Sequence, residues 1–304
     1  MRLKLILFVL ILFVSTLQAS TLALWAFNEG SGYSTADLSG NNNNLTFSPS
    51  ENIFSTNRPS FFSGGTSLRG LSPGMTPGGS STNLNWTGNV FTMEAWIKAG
   101  APNTTSQTFL QILGKTGAGA SDQPFFFCLE NRVGSSFVSD KWQFEYLFTD
   151  QDGTRVHNQS TNLFLSGSLL NQWVHLAIVY DGRSTTNAAT VTLYINGSPT
   201  VFTSHSGVSN QRVGSDGVVR GNLLSSEANV TVGGGQSSAG YQYVPEYWLD
   251  EVRISNAILP AGTGSGINEL AFNANLGVVP EMNTWLIFIL GFSGMLLMKR
   301  SYWL

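Results

Sequence analysis

The sequence predicts an all-β fold, in which two antiparallel sheets pack face to face as a jelly-roll sandwich. Short segments rich in β-branched and aromatic residues recur along the chain and alternate with polar residues, as half-buried strands do. Turn signals containing Gly, Asn or Pro separate these segments. The 304-residue chain has enough apolar residues for a large core, and because no internal repeat is visible, one large domain is predicted.

The strongest strand signal lies between Asn171 and Thr200. Trp173–Tyr180 and Val191–Ile195 alternate as core strands of a sandwich do, and we interpret them as neighbouring strands. Asn196-Gly197 follows, the pair best able to adopt the positive φ angles of a two-residue hairpin turn. A further strand through residues 201–202 is expected to fold back there.

The other strands are predicted on both sides of this pair. The first covers Leu22–Asn28, whereas residues 45–84 are rich in turn signals and predict loops with edge strands. In Phe91–Lys98 every second residue is apolar, so one face of that strand should meet the core. The remaining predicted strands are Phe109–Lys115, Phe125–Leu129, Trp142–Phe148, Asn229–Val232 and Tyr247–Ser255.

Five short motifs in these segments form a set. They are Trp25-Ala26-Phe27-Asn28-Glu29-Gly30, Asp37-Leu38-Ser39-Gly40-Asn41, the run Phe91 to Lys98, Leu193-Tyr194-Ile195-Asn196-Gly197 and Asp250-Glu251-Val252-Arg253-Ile254. In this order they resemble the laminin-G-like domains of the concanavalin A-like lectin and glucanase superfamily, over residues 22–259. The resemblance implies the jelly-roll fold and binding loops at the edge of the sandwich.

The resemblance also implies a structural calcium ion, held between the Asp-x-Ser-Gly-Asn loop and the closing strand. Its ligands here would be Asp37, the Ser39 carbonyl, Asn42 and Asp250, with Glu29 nearby. Oxygen donors from side chains and backbone are what Ca²⁺ requires.

The physical reason for this hypothesis lies in the closing strand, Tyr247–Ser255. Strand alternation predicts that Asp250 lies on the same face as Trp248, Val252 and Ile254. An anion on an apolar face is costly unless it is paired or bound to a metal. The alternative to calcium is that Asp250 accepts backbone hydrogen bonds or pairs with an arginine.

The N-terminus has the pattern of a signal peptide. Arg2 and Lys4 precede an apolar core from Leu5 to Val14, and Ala19 is a small residue suited to cleavage, so residues 1–19 are predicted to be removed on export. The alternative, an uncleaved membrane helix, needs a longer apolar run.

The C-terminus has a second apolar segment. Pro280-Glu281-Met282 precedes Leu286–Met298, and Lys299-Arg300 closes the run. This resembles the PEP-CTERM sorting tail of exopolysaccharide-producing Gram-negative bacteria, although Met282 stands where the family has a second proline. The resemblance implies a transient inner-membrane anchor, processed by an exosortase, and a final location at the cell surface or in the extracellular matrix. The alternative is an ordinary transmembrane anchor.

The predicted parts are a signal peptide (1–19), a domain (20–259), a linker (260–277) and a tail (278–304).

Composition excludes some functions. Charged residues make up 11% of the chain, the formal net charge is −3 and no basic stripe is present, which argues against nucleic-acid binding. Cys128 is the single cysteine, so no internal disulfide can form, and its apolar surroundings predict a small buried core residue.

No catalytic residues are predicted. Glycosidases of this fold need two carboxylates beside the scissile bond, and relatives carry them close together on one strand, a run that this chain lacks. The nearest pairs, Glu145 with Asp150 and Asp250 with Glu251, have the wrong spacing and are interpreted as exposed charges. The three histidines, His157, His175 and His205, are scattered, and the one within the central strand is interpreted as a hydrogen-bonded structural residue.

The predicted function is therefore an exported binding module that contacts carbohydrate or another extracellular polymer without catalysis. The alternative is a glycan-active enzyme of the concanavalin A-like class.

Overall fold

A computed structural model describes the chain over residues 21–47, 53–60, 65–70, 84, 87–102, 109–115, 123–133, 136–137, 141–184, 186–200, 219–233 and 246–258. The predicted signal peptide, linker and sorting tail lie outside these ranges, as does His205. Within the described ranges, no helix is long and apolar enough to cross a membrane.

Almost all regular structure in the described residues is β-strand, with one short 3₁₀ turn at Gly167–Leu169. In chain order the strands are β1 (Thr21–Trp25), β2 (Ser34–Thr35), β3 (Leu45–Thr46), β4 (Phe54–Ser55), β5 (Ser67–Gly70), β6 (Val90–Ala99), β7 (Phe109–Lys115), β8 (Phe125–Glu130), β9 (Arg132–Val133), β10 (Ser136–Phe137), β11 (Lys141–Thr149), β12 (Arg155–Ser166), β13 (Val174–Asp181), β14 (Thr190–Ile195), β15 (Ser198–Thr200), β16 (Val230–Val232) and β17 (Tyr247–Ser255).

Thirteen of these strands form two large antiparallel sheets, and β2 with β3 and β9 with β10 form two separate pairs. The larger has eight strands in the order β15-β14-β13-β6-β17-β5-β4, with β1 also paired to β17. The smaller has five strands in the order β12-β11-β8-β7-β16. The fold is thus an all-β sandwich of antiparallel sheets, consistent with the predicted jelly roll.

The core lies between the sheets and is rich in aromatic side chains. Phe91 on β6 of the large sheet contacts Phe148 on β11 of the small one edge to face, with ring centroids 5.4 Å apart. Tyr180 on β13 packs on both rings, with centroid distances of 5.6 and 5.1 Å. All three side chains are fully buried, so aromatic contacts join the two sheets.

Most predicted strands are confirmed, and three details differ. The first strand ends at Trp25, because Phe27 adopts a positive φ of 50° that a strand cannot contain. The Asn196-Gly197 turn is confirmed, with φ angles of 50° and 77°, but the returning strand is Ser198–Thr200, and residues 201–202 lie outside the described ranges. The long strand β12 was not predicted, because its residues are mostly polar.

The predicted face of Asp250 is wrong. A β-bulge interrupts the pairing of β17 with β6 between Asp250 and Arg253, and Glu251 takes a φ of 49° there. As a result Asp250 lies opposite Trp96 on the face away from the core, whereas Val252 lies in the core. The extra residue of the bulge reverses the alternation that the sequence suggested.

Candidate functional site on the five-stranded sheet

The face of the five-stranded sheet that points away from the core carries polar side chains. On β11 the residues Gln143 and Glu145 alternate with the core residues around them, and they lie opposite Glu130 and Cys128 of β8. β12 pairs with the other edge of β11, and there His157 lies opposite Leu147. Leu147 is two residues after Glu145, so His157 and Glu145 are diagonal neighbours on the same face of the sheet. We call Glu130, Gln143, Glu145, His157 and Cys128 the small-sheet polar face.

Glu145 is at the centre of this face. Its Oε1 pairs with Nε2 of His157, and its Oε2 lies 3.6 Å from Sγ of Cys128. The Glu145 side chain is only 5% exposed, whereas the His157 side chain is 25% exposed. His157 also meets the Phe126 ring edge to face, with centroids 5.4 Å apart. The imidazole is therefore the member of the pair that a ligand can reach, and Glu145 fixes its orientation.

Cys128 is buried, as predicted, but it lies on the polar face and not in the apolar core. Its thiol donates towards the Glu145 carboxylate and lies 3.7 Å from the Glu145 carbonyl. Burial raises the pKa of the thiol, and the nearby charges of Glu145 and Glu130 raise it further. The thiol is thus held neutral, which makes it a hydrogen-bond donor and a poor nucleophile.

A second carboxylate lies close to the first on this face. Glu130 is 1% exposed, and both it and Glu145 act electrostatically on Cys128 between them. Diagonal neighbours on paired strands have Cβ atoms roughly 7 Å apart. Sequence reasoning missed both Glu130 and His157 as site residues, because their proximity to Glu145 depends on strand pairing and not on sequence spacing.

The carboxylates that the sequence suggested as exposed charges are buried, which is a correction. Glu145 pairs with His157 as described above. Asp150 directly follows β11 and accepts backbone hydrogen bonds from Asp152 (3.1 Å), Thr154 (2.9 Å) and Arg220 (3.2 Å). Burial raises the pKa of Asp150 while these backbone donors oppose the rise, and its role is to stabilise the turn after β11.

Asp250 and Glu251 share one cation. Arg58 places Nη2 3.2 Å from Oδ2 of Asp250 and 4.0 Å from Oε1 of Glu251. Asp250 also accepts the Glu251 amide at 3.0 Å. Both alternatives considered for Asp250, an arginine partner and a backbone hydrogen bond, are therefore present.

The other predicted calcium ligands have a separate set of contacts. The two carboxylate oxygens of Asp37 accept four hydrogen bonds, from Leu24 N, Ser39 N, Ser39 Oγ and Asn43 N, at 2.8–3.0 Å. Four donors use the lone pairs of a carboxylate. Glu29 accepts from Thr35 Oγ1 and Ala36 N within the same loop.

Asn42 lies in a turn of this loop and has a positive φ of 60°. Asp37 and Asp250 share no contact among the described residues, and no group of three or more acidic, His or Cys side chains suited to a metal lies in this part of the chain. The described contacts of Asp37 and Asp250 do not fit a shared calcium ion, and calcium binding here is a hypothesis that still needs a test.

Chelation tests this point directly. Because the Asp37 carboxylate already has its hydrogen-bond donors, we expect the melting temperature of the protein to be the same in excess EDTA and in millimolar Ca²⁺. A ligand bound only to the native state would raise it by mass action. A fall in EDTA that Ca²⁺ reverses, and that Asp37→Asn removes, would restore the calcium hypothesis.

His175 is confirmed as a buried, hydrogen-bonded residue. Its Nε2 lies 3.0 Å from Oε2 of Glu94, and its backbone N–H donates to Oδ1 of Asn196 at 2.9 Å. Its ring packs on Trp96 with centroids 5.3 Å apart. Arg253 also pairs with Glu94, so the carboxylate joins two basic side chains on the outer face of the large sheet.

Comparisons with known proteins agree on the fold. The Laminin_G_3 family model, described as the concanavalin A-like lectin/glucanases superfamily, matches residues 73–262. No curated protein matches the sequence. Among solved structures, the binding domain of botulinum neurotoxin serotype G is 12% identical with a TM-score of 0.51, covering 83% of this chain and 50% of that one. A Trypanosoma rangeli sialidase is 12% identical with a TM-score of 0.46, covering 86% and 34%. The chain thus spans half or less of these solved chains.

Proposed function

Because the chain belongs to the concanavalin A-like lectin/glucanases superfamily, we propose that it is an exported binding module, which contacts carbohydrate or another extracellular polymer without catalysis. The observation that supports this proposal is the small-sheet polar face. A sheet face that only meets water has mobile, exposed polar side chains. Here Glu130, Gln143 and Glu145 are all less than 5% exposed, so their polar groups are held in fixed positions.

Such a face suits a sugar. Each hydroxyl group of a sugar both donates and accepts hydrogen bonds, and the C–H groups of the ring form an apolar surface. His157 offers a partly exposed imidazole, fixed by Glu145, and Phe126 beside it offers a partly buried apolar ring. A few oriented polar groups next to an aromatic surface are the usual composition of a small-molecule site.

Binding is tested with the full-length protein on a panel of immobilised neutral polysaccharides. We expect His157→Ala to weaken binding of the recognised glycan at least about tenfold, since it removes the accessible hydrogen-bonding group at a cost typical of a buried polar contact. Arg183→Ala, at an exposed ion pair with Asp181 in a turn, is the matched control. Equal binding by wild type and His157→Ala would exclude this face as the glycan site.

One observation favours the second candidate, a glycan-active enzyme. Glu130 and Glu145 are two carboxylates on one face, and glycosidases use such a pair. Against this, both oxygens of Glu145 already have protein partners, His157 and Cys128. The same panel decides between the two functions: a loss of polymer length that Glu145→Gln abolishes would establish the enzyme, whereas retained length with retarded migration supports the binding module.

The route of export is part of the proposal. We infer that residues 1–19 direct secretion and that residues 278–304 act as a PEP-CTERM-like sorting tail recognised by an exosortase-type enzyme. As a helix, Trp285–Met298 would extend roughly 21 Å at about 1.5 Å per residue, short of the ~30 Å hydrocarbon core. A marginal span of this kind suits a temporary anchor, with Lys299 and Arg300 on the cytoplasmic side.

Mass spectrometry of the protein from its native host tests this route. We expect the surface fraction to contain peptides that end near Pro280-Glu281 and to lack peptides that reach Tyr302. Recovery of intact C-terminal peptides at the surface would mean that the tail is a permanent anchor.

A further inference from the structure

A row of alternating aromatic and cationic side chains crosses the outer face of the eight-stranded sheet. Lys98 on β6 lies opposite Trp248 on β17, and Trp248 lies opposite Arg69 on β5. On the other side of β6, the pairing of Val174 with Ile97 brings Trp173 next to Lys98. The order across four neighbouring strands is therefore Trp173, Lys98, Trp248, Arg69, which we call the tryptophan row.

All four residues of the tryptophan row are partly exposed. Neighbouring strands are about 4.8 Å apart, so the two tryptophans, two strands apart, are separated by ~10 Å along the row. That separation is close to the length of two linked pyranose rings. Lys98 lies between the two indoles, and Arg69 lies on the far side of Trp248.

The cations of the row have hydrogen-bonding capacity left. The ammonium of Lys98 lies 5.4 Å from the centroid of the Trp248 ring and donates to Oδ1 of Asn57 at 3.2 Å. An ammonium has three N–H donors, so the described contacts leave others for a ligand. Arg69 pairs with Glu246 through Nε, and both side chains are about two-fifths exposed, 41% and 43%. Exposed pairs of this kind are weak and exchange readily with another anion.

Buried side chains on the same face of the sheet hold Trp173 of the row in position. Trp173 packs against Trp96, which in turn packs on His175. Nε2 of His175 lies 3.0 Å from Oε2 of Glu94. Nδ1 of His175, a residue only 2% exposed, and Nε1 of Trp173 have no hydrogen-bond partner among the described residues. Buried polar atoms without partners are rare enough to need an explanation.

From these observations we propose that the tryptophan row is a second binding surface, which takes an acidic polysaccharide by stacking pyranose rings on Trp173 and Trp248 and pairing uronate carboxylates with Lys98 and Arg69. The buried carboxylates of this face, Glu94 and Asp250, are already paired with arginines. The exposed charges that a polymer meets along the row are therefore those of Lys98 and Arg69, together with the Glu246 carboxylate that pairs with Arg69.

This surface lies on the opposite side of the sandwich from the small-sheet polar face. The inference goes beyond the proposed function, because a module with two binding faces links two polymer chains. The two surfaces differ in charge and can be inactivated separately.

The test uses the full-length protein, kept soluble in a detergent without sugar head groups, and polygalacturonate as the probe, with dextran as a neutral control. We expect Lys98→Gln with Arg69→Gln to weaken binding of polygalacturonate at least about tenfold, and raised salt to weaken wild-type binding in the same way. Trp173→Leu should weaken it as well, without a change in the salt dependence. His157→Ala is the matched control from the other face and should bind polygalacturonate as the wild type does.

The outcomes separate this inference from the proposed function. Wild-type affinity in the Lys98→Gln/Arg69→Gln variant would overturn the tryptophan row, even if a neutral glycan still binds at His157. Loss of polygalacturonate binding in His157→Ala alone would assign the acidic polymer to the small-sheet face instead. Trp173 also packs on Trp96, so Trp173→Leu can affect folding as well as binding. A second test therefore keeps Trp173 and exchanges the cations. Lys98→Arg with Arg69→Lys should retain binding if charge at these positions is what the polymer recognises.

Discussion

Replacing Arg253 with leucine is expected to lower the free energy of unfolding by about 3–5 kcal/mol. Arg253 pairs with Glu94 through its guanidinium, and both side chains are less than a tenth exposed, 7% and 5%. The substitution leaves the Glu94 carboxylate buried with only His175 as a partner. A buried charge that has lost its main partner is far more costly than the pair itself is stabilising.

Urea unfolding at neutral pH measures this effect, and the exposed pair of Arg183 with Asp181 is its matched control. The Arg183 side chain is 65% exposed, so Arg183→Leu should change the stability by less than about 1 kcal/mol. Exchanging Glu94 for glutamine in the Arg253→Leu background should recover part of the loss, because it removes the unpaired charge. Similar unfolding curves for Arg253→Leu and Arg183→Leu would contradict the burial argument.

The stability of the domain is expected to fall as the pH rises between about 4 and about 8. Burial raises the pKa of Asp250 to about 8 and that of Glu251 to about 7, and the guanidinium of Arg58, joined at Glu251 by that of Arg253, offsets only part of this rise. In the unfolded chain both carboxyls have ordinary pKa values near 4. The folded state therefore binds more protons in this window, and the stability present below pH ~4 is lost as the pH rises through the folded pKa values.

The loss should amount to several kcal/mol between about pH 4 and about pH 8, on the scale of about 1.4 kcal/mol for each pKa unit. Urea midpoints across this range measure it, and Asp250→Asn with Glu251→Gln should flatten the curve. Asp181→Asn is the control, because its side-chain hydrogen bond to Arg183 lowers the pKa of Asp181 and its titration falls below the window. A stability that is constant or rises with pH in the wild type would show that Arg58 keeps both carboxylates ionised.

The fold could be predicted from the sequence because its main strands carry local signals. Alternation in Phe91–Lys98 and in the central pair is a property of neighbouring residues, and the structure has strands at both places, with the predicted core face in Phe91–Lys98. The Asn196-Gly197 turn is equally local, since it requires two residues that tolerate positive φ.

The candidate site could not be predicted in the same way, since it depends on pairing between strands. His157 lies on β12, and the five residues that follow it, Asn158–Asn162, are all polar and give no apolar alternation to reveal the strand. Because β12 was not predicted as a strand, the pairing of His157 with Glu145 could not be predicted either. The error at Asp250 has a comparable cause, because one additional residue at the Glu251 bulge changes the face of every later residue, and no local motif marks it.

The position of β17 in the large sheet bears on when the domain can fold. This strand pairs with β6 on one side and with β5 and β1 on the other, yet it is the last strand of the described chain. Thr21 pairs with Ser255, so β1 has no partner strand until Tyr247–Ser255 has been synthesised. Until then β5 and β6 also have no strand between them. Contacts this distant in sequence form late and slowly. A nascent chain is therefore kept unfolded until nearly all of it has been made, which is the state that a secretion channel accepts, and a truncation before residue 247 should yield no folded sandwich.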